Sequence, residues 1–119
     1  MSTACQRAIA ACKEVLKPGA LVGEVFDTHA RIIDEHGYKE MRMNACGYSL
    51  GTTYAPTWMD WPMFYTGNSV IVEPNMIYFL HMILFDSDNG LAMTLGETVH
   101  VTEDGSRSLS RHGTKLICR

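Results

Sequence analysis

The sequence predicts an α+β domain, two amphipathic helices followed by an antiparallel β-meander. Three observations carry that prediction. The first third of the chain repeats apolar residues at three- and four-residue spacing. After Tyr38 the pattern changes to short runs of β-branched and aromatic residues, and the turn cluster Asp86-Ser-Asp-Asn-Gly90 joins the two longest of them. Helices grouped ahead of strands indicate α+β layering, not an alternating βαβ chain.

The first helix is expected over residues 3–16, capped by Ser2 or Thr3, with Ala8, Ile9, Cys12, Val15 and Leu16 on one face. Lys17-Pro-Gly19 ends it, because the residue before a proline is pushed out of the α region. A second helix is expected over 22–36, where Val22, Val25, Phe26, His29, Ile32 and Ile33 form a stripe and Gly37 suits a left-handed cap. Strands are expected at 41–45, 69–72, 76–85, 91–101 and 106–109, with Glu103-Asp-Gly105 as a tight turn before the last. Between them lies an aromatic and proline-rich segment, 52–68, that reads as a loop. Loops of that length are usually functional or cover something.

With 119 residues, the whole chain 1–119 reads as a single domain. Apolar residues make up 46% and charged residues 19%, a globular balance that excludes a disordered polar chain. The net charge of −3 and the scattered Lys and Arg give no electrostatic footprint for nucleic acid. No apolar run reaches the ~18 residues of a membrane span, and the start lacks the pattern of a signal peptide. A cytoplasmic protein is expected, with Cys5, Cys12, Cys46 and Cys118 reduced and packed as small apolar groups.

Few residues stand out as chemistry. Tyr54, Trp58, Trp61, Phe64 and Tyr65 either roof the sheet or an interface, or wall a small-molecule pocket. Glu73 follows an apolar run and is locked by Pro74, so it is either a solvated strand end or a site carboxylate. His81 interrupts an apolar strand, with Phe79 and Ile83 sharing its face. It is either a hydrogen-bonded core residue or a proton carrier. Gly47-Tyr-Ser-Leu-Gly51 matches G-x-S-x-G, but an extended segment follows where a nucleophile elbow requires a helix, so Ser49 reads as a backbone-shaping residue. No spacing suggests a metal motif, and no cofactor is expected.

Taken in order, Lys17-Pro-Gly19, Gly23-Glu-Val-Phe26, Gly37-Tyr38, Gly47-x-x-x-Gly51, Val72-Glu-Pro-x-Met76 and Glu97-Thr-Val-x-Val-Thr-Glu-Asp-Gly105 resemble the pita-bread hydrolases, the creatinase, prolidase, aminopeptidase P and methionine aminopeptidase group. The likeness spans nearly the whole chain and implies the second half of that catalytic fold. Tyr48, with Tyr54-Ala-Pro56 and Trp58, looks closest to the ectoine-hydrolase-like members. The resemblance implies that Tyr48 stands where metallopeptidases have a metal-binding histidine, Ala55 where they have a second histidine, and Gly96 where their last glutamate ligand lies. Glu73 would match the strand-end glutamate ligand, and Glu97 an aspartate position. One matched carboxylate is not a divalent-cation site.

The resemblance therefore implies a hydrolase of a C–N bond in a small substrate, in the metal-independent style of creatinase and nearly inactive as this half alone. In that style Glu73 would be the general base, with Tyr48, Tyr54, Trp58, Trp61 and Glu97 shaping the substrate pocket; by its chemistry, and not by any matched motif, His81 is expected as a proton carrier. The alternative is a non-catalytic ligand-binding or oligomerisation module. A half of such a fold exposes a face and an edge, at roughly 25 cal/mol per Å² of apolar surface. A homodimer or higher oligomer is expected to cover them.

Overall fold

The computed structural model describes residues 1–51 and 53–117. Cys118 and Thr52, the first residue of the aromatic segment, lie outside the described residues. Two α-helices, α1 (Ser2–Val15) and α2 (Val22–Glu35), precede five strands: β1 (Gly47–Ser49), β2 (Asp60–Met63), β3 (Ile77–Asp86), β4 (Leu91–Val101) and β5 (Ser106–Ser108). The strands form one antiparallel sheet in the order β2-β1-β3-β4-β5. The long β3–β4 hairpin is its centre, pinned by Asp86, whose carboxylate accepts from the Asn89 backbone amide and side chain. Gly90, at φ +64°, supplies the left-handed residue of that turn.

Both helices lie on one face of the sheet. Tyr78, Leu80, Met82 and Leu84 of β3 alternate inward with Val99 and Val101 of β4. They meet Ala4, Cys5, Ala8, Ile9 and Cys12 of α1 and Val22, Val25, Phe26 and Ile33 of α2 in one core. Cys5, Cys12 and Cys46 are buried free thiols. The opposite face, carrying Phe79, His81, Ile83 and Phe85, has no helix over it among the described residues, and Phe85 is half exposed.

The helices fall where their periodicity puts them, with small changes at the ends. Helix α1 starts at Ser2 with Met1 as its cap residue and no side-chain cap, so neither Ser2 nor Thr3 caps it. The Met1 ammonium donates instead to the Tyr38 hydroxyl at 2.9 Å. Gly37 takes φ +80° at the end of α2.

Two expected strands do not form. Residues 69–72 spend their backbone bonds on the turn before α2: Gly19 N–H donates to Val72, Val72 N–H to Ala20 and Val22 N–H to Val70. Only a single bridge, Leu21 with Ile71, results. Met41 closes a 3-10 turn (Lys39–Met41), and Arg42 makes one bridge with Leu84. The register along β3 then slips by one residue before β1. Conversely, the aromatic segment is not structureless. Asp60–Met63 pairs with β1 as the outer strand, where Pro62 is tolerated because an edge strand need not donate on its free side.

Candidate functional site

The uncovered face holds a cavity of about 480 Å³. Its floor is β3 and β1. Alternation turns His81 and Ile83 away from the helices, and Tyr48 is paired across from Phe79 on the same face. Its walls are Met43, Met63 and Trp58 from the neighbouring segments. Gly47 is required at its base. At φ +141° a Cβ there would collide with the carbonyl oxygen of Phe79 and crowd Phe64.

The polar groups in this cavity are few and connected. Trp58 Nε1–H donates to the Tyr48 hydroxyl at 2.9 Å, which fixes the indole across the mouth although most of its surface is exposed. The Tyr48 ring leans on Phe79 with centroids 5.6 Å apart, and Phe79 leans on His81 at 5.0 Å. His81 Nε2 shares a hydrogen bond with the Thr94 hydroxyl at 2.8 Å. Burial holds the His81 imidazole below its ordinary value, so the ring is neutral at pH 7.

Of the residues singled out in the sequence, the structure brings Tyr48, Trp58 and His81 together here. Tyr54 is exposed and does not line the cavity, and Trp61 packs outside it against Tyr65 at 5.7 Å. Glu73 is not at a strand end, because the expected strand before it does not form. It is exposed in the turn leading into β3, where its amide donates to the Met76 sulfur. Burial first, and the Glu73 charge second, push the Tyr78 hydroxyl up to about 12, and Tyr78 is on the helix face. Glu73 and His81 therefore form no acid–base pair within this chain. Glu97 is also on the helix face, directly across from Leu80, and is buried beside α1 with Val99 and not with Tyr48.

Thr94 and the methionines of the cavity wall carried no signal as isolated residues. Thr94 is nonetheless fixed by the hairpin: the turn at 87–90 sets Ile83 opposite Thr94 and His81 opposite Gly96, so Thr94 sits diagonal to His81.

The arrangement can bind a small, largely apolar group through aromatic and thioether surface, orient it with the Tyr48–Trp58 pair, and accept a proton on His81. Among the described residues no three His, Cys, Asp or Glu side chains cluster as ligands. The Phe79 ring lies over Gly96, so any side chain at that position would collide with it. Among the described residues no helix is long and apolar enough to cross a membrane.

Solved structures share this architecture. Dipeptidase PepE from Mycobacterium ulcerans superposes on 98% of this chain with a TM-score of 0.87 at 20% identity. The prolidase from Pyrococcus horikoshii OT3 does so on 98% with a TM-score of 0.86 at 22% identity. Two helices followed by a five-stranded antiparallel sheet are thus part of the pita-bread fold, and the chain spans 30% and 32% of those two proteins. A protein of Bacillus subtilis (strain 168) named "Putative dipeptidase YkvY" is 26% identical over 104 residues, which are 87% of this chain and 27% of that protein. The model of metallopeptidase family M24 matches residues 1–103. The chain belongs to metallopeptidase family M24.

Proposed function

We propose that this chain is the ligand-holding part of a family M24 hydrolase, acting on a C–N bond in a small substrate, and that alone it binds that substrate without cleaving it. The observation that carries this reading is the composition of the uncovered cavity. It holds one imidazole, His81, whose side-chain hydrogen-bond partner among the described residues is the Thr94 hydroxyl, and the two expected site carboxylates, Glu73 and Glu97, do not line it. Binding surface is present, but hydrolysis needs a second group on the water or the leaving nitrogen. That group would come from polypeptide outside this chain or from a second copy covering the open face. A homodimer is the simplest source of that cover.

The substrate class follows the family and the branch. Dipeptidase and prolidase relatives point to a dipeptide with a C-terminal imino acid, whereas Tyr48 in Gly47-Tyr-Ser-Leu-Gly51 points to the ectoine-hydrolase-like branch and a compact cyclic solute. Both are small and ring-bearing: a pyrrolidine offers hydrocarbon to the aromatic and methionine-lined wall, and a cationic cyclic amidine can stack on its aromatic faces. A non-catalytic binding module derived from the family is the second reading, favoured by the separation of Glu73 from His81.

Trp58 lines the cavity, so its emission reports occupancy. Titration with a prolyl dipeptide, with ectoine and with creatine should give a saturable change for at least one, lost in Trp58→Phe, with no C–N cleavage by the isolated chain. Cleavage that disappears in His81→Ala would contradict the binding-only reading. If a full-length protein carrying this segment cleaves and its His81→Ala variant does not, the hydrolase reading stands over the inert module.

A further inference from the structure

The helix face of the sheet carries a second cleft, of about 350 Å³, between α1, β5 and the segment after β5. At its base is Glu97, 4% exposed, whose Oε1 has no hydrogen-bond partner among the described residues. The side chain forms no ion pair among the described residues either. A buried carboxylate without donors is costly, so its complement is expected to enter from outside. The two nearby donors are directed elsewhere, and neither pairs with Glu97 among the described residues. Lys13 Nζ donates to Ser108 Oγ at 2.6 Å, and Gln6 Nε2 donates to the Thr114 carbonyl at 2.7 Å. Those two bonds tie β5 and the following segment to α1, the elements that line the cleft.

The charges around the cleft select its occupant. A bare cation would satisfy Glu97 but would face Lys13 and Arg111, which line the same cleft. A bare anion would suit Arg111, which is exposed and forms no ion pair among the described residues, but would be repelled by Glu97. A small zwitterion satisfies both, with its ammonium inward on Glu97 and its carboxylate outward on Arg111. We infer that this cleft is a binding site for a free α-amino acid, on the opposite face of the sheet from the His81 cavity and independent of what that cavity does.

The test is a titration of the full chain with L-alanine, followed by backbone amide NMR shifts of residues 108–114, with methylamine and acetate as single-charge probes. L-alanine should produce saturable shifts there, methylamine should bind about tenfold more weakly, and acetate should not bind. Arg111→Ala, a surface change, should weaken L-alanine at least fivefold without weakening methylamine, and Glu97→Gln should abolish both. No saturable shift with L-alanine, or equal L-alanine affinity in Arg111→Ala, overturns the assignment. A Glu97→Gln protein that folds and still binds L-alanine also overturns it.

Discussion

His29 is the most consequential single side chain outside the cavity. It is buried on α2 with neither ring nitrogen hydrogen-bonded among the described residues, and it is tilted against Phe26 at 5.5 Å. Burial first, and the Arg42 charge second, push its pKa down to about 4, against a smaller opposing pull from Asp34. The folded chain thus prefers neutral imidazole, while the unfolded chain protonates near the ordinary value of 6.5. Stability is full above about pH 6.5, falls as pH drops from there toward 4, and levels off below. A gap of that size is worth about 3 kcal/mol at 1.36 kcal/mol per unit. Urea melts of the native chain across that window should show the loss, and His29→Phe should flatten it. The Asp34–Arg42 pair, with Arg42 Nε donating to Asp34 at 2.7 Å, holds the Asp34 carboxyl below its usual range. Its contribution is lost at still lower pH, as that carboxyl takes its proton.

Gly47 and Gly23 give two further residue-scale expectations. Gly47→Ala would drive a Cβ into the Phe79 carbonyl oxygen at a left-handed φ, so it should cost ~3 kcal/mol or more in chemical denaturation. Gly23→Ala would place its Cβ 2.8 Å from the Asn68 backbone nitrogen and 2.9 Å from its oxygen. It should cost about 2 kcal/mol, because backbone on the far side cannot move as a flexible side chain can. A measured loss under ~0.5 kcal/mol at either position would contradict these packing assignments.

At the scale of elements, most of what was local in the chain was legible in it, the cap of α1 being the exception. The helices follow from a 3.6-residue stripe and from Lys17-Pro-Gly19 and Gly37, all short-range chemistry. The β3–β4 hairpin follows from alternation and from Asp86-Ser-Asp-Asn-Gly90, and its register then fixes the partners of His81. The Asn75 turn before β3 is also local in character: Asn75 takes φ 69°, a conformation that asparagine tolerates. What failed were pairings decided elsewhere. The run at 69–72 has a strand's composition, but its hydrogen bonds go to the turn before α2, a partner some fifty residues earlier. Asp60–Met63, with Pro62 inside it and in the middle of the aromatic and proline-rich segment, does not read as a strand, and becomes one only because β1 offers an edge. Glu73 misled for the same reason: its importance depended on a strand end that does not exist. Glu97 misled by parity, since one residue along β4 exchanges the cavity face for the helix face.

For the whole molecule, the decisive asymmetry is one sheet face covered by helices and the other bare. Phe85 is half exposed at the hairpin end of the bare face, and Trp58, Met59 and Met43 add to the apolar surface around the cavity. Apolar surface on that scale marks a face made to be covered. Sedimentation of the chain should therefore show concentration-dependent association at micromolar levels, reversed by Phe85→Lys. A monomer throughout would contradict the expected homodimer and leave a separate polypeptide as the cover.

The most direct test of the cavity's role isolates one fluorophore. In Trp61→Phe the remaining indole is Trp58, tied to Tyr48 at the mouth of the cavity. Titration of that variant with a prolyl dipeptide and with ectoine should give a saturable shift in emission for at least one of them, removed by adding His81→Ala. An emission spectrum unchanged by either compound, in a chain shown to be folded, would contradict the assignment of this cavity as the ligand site.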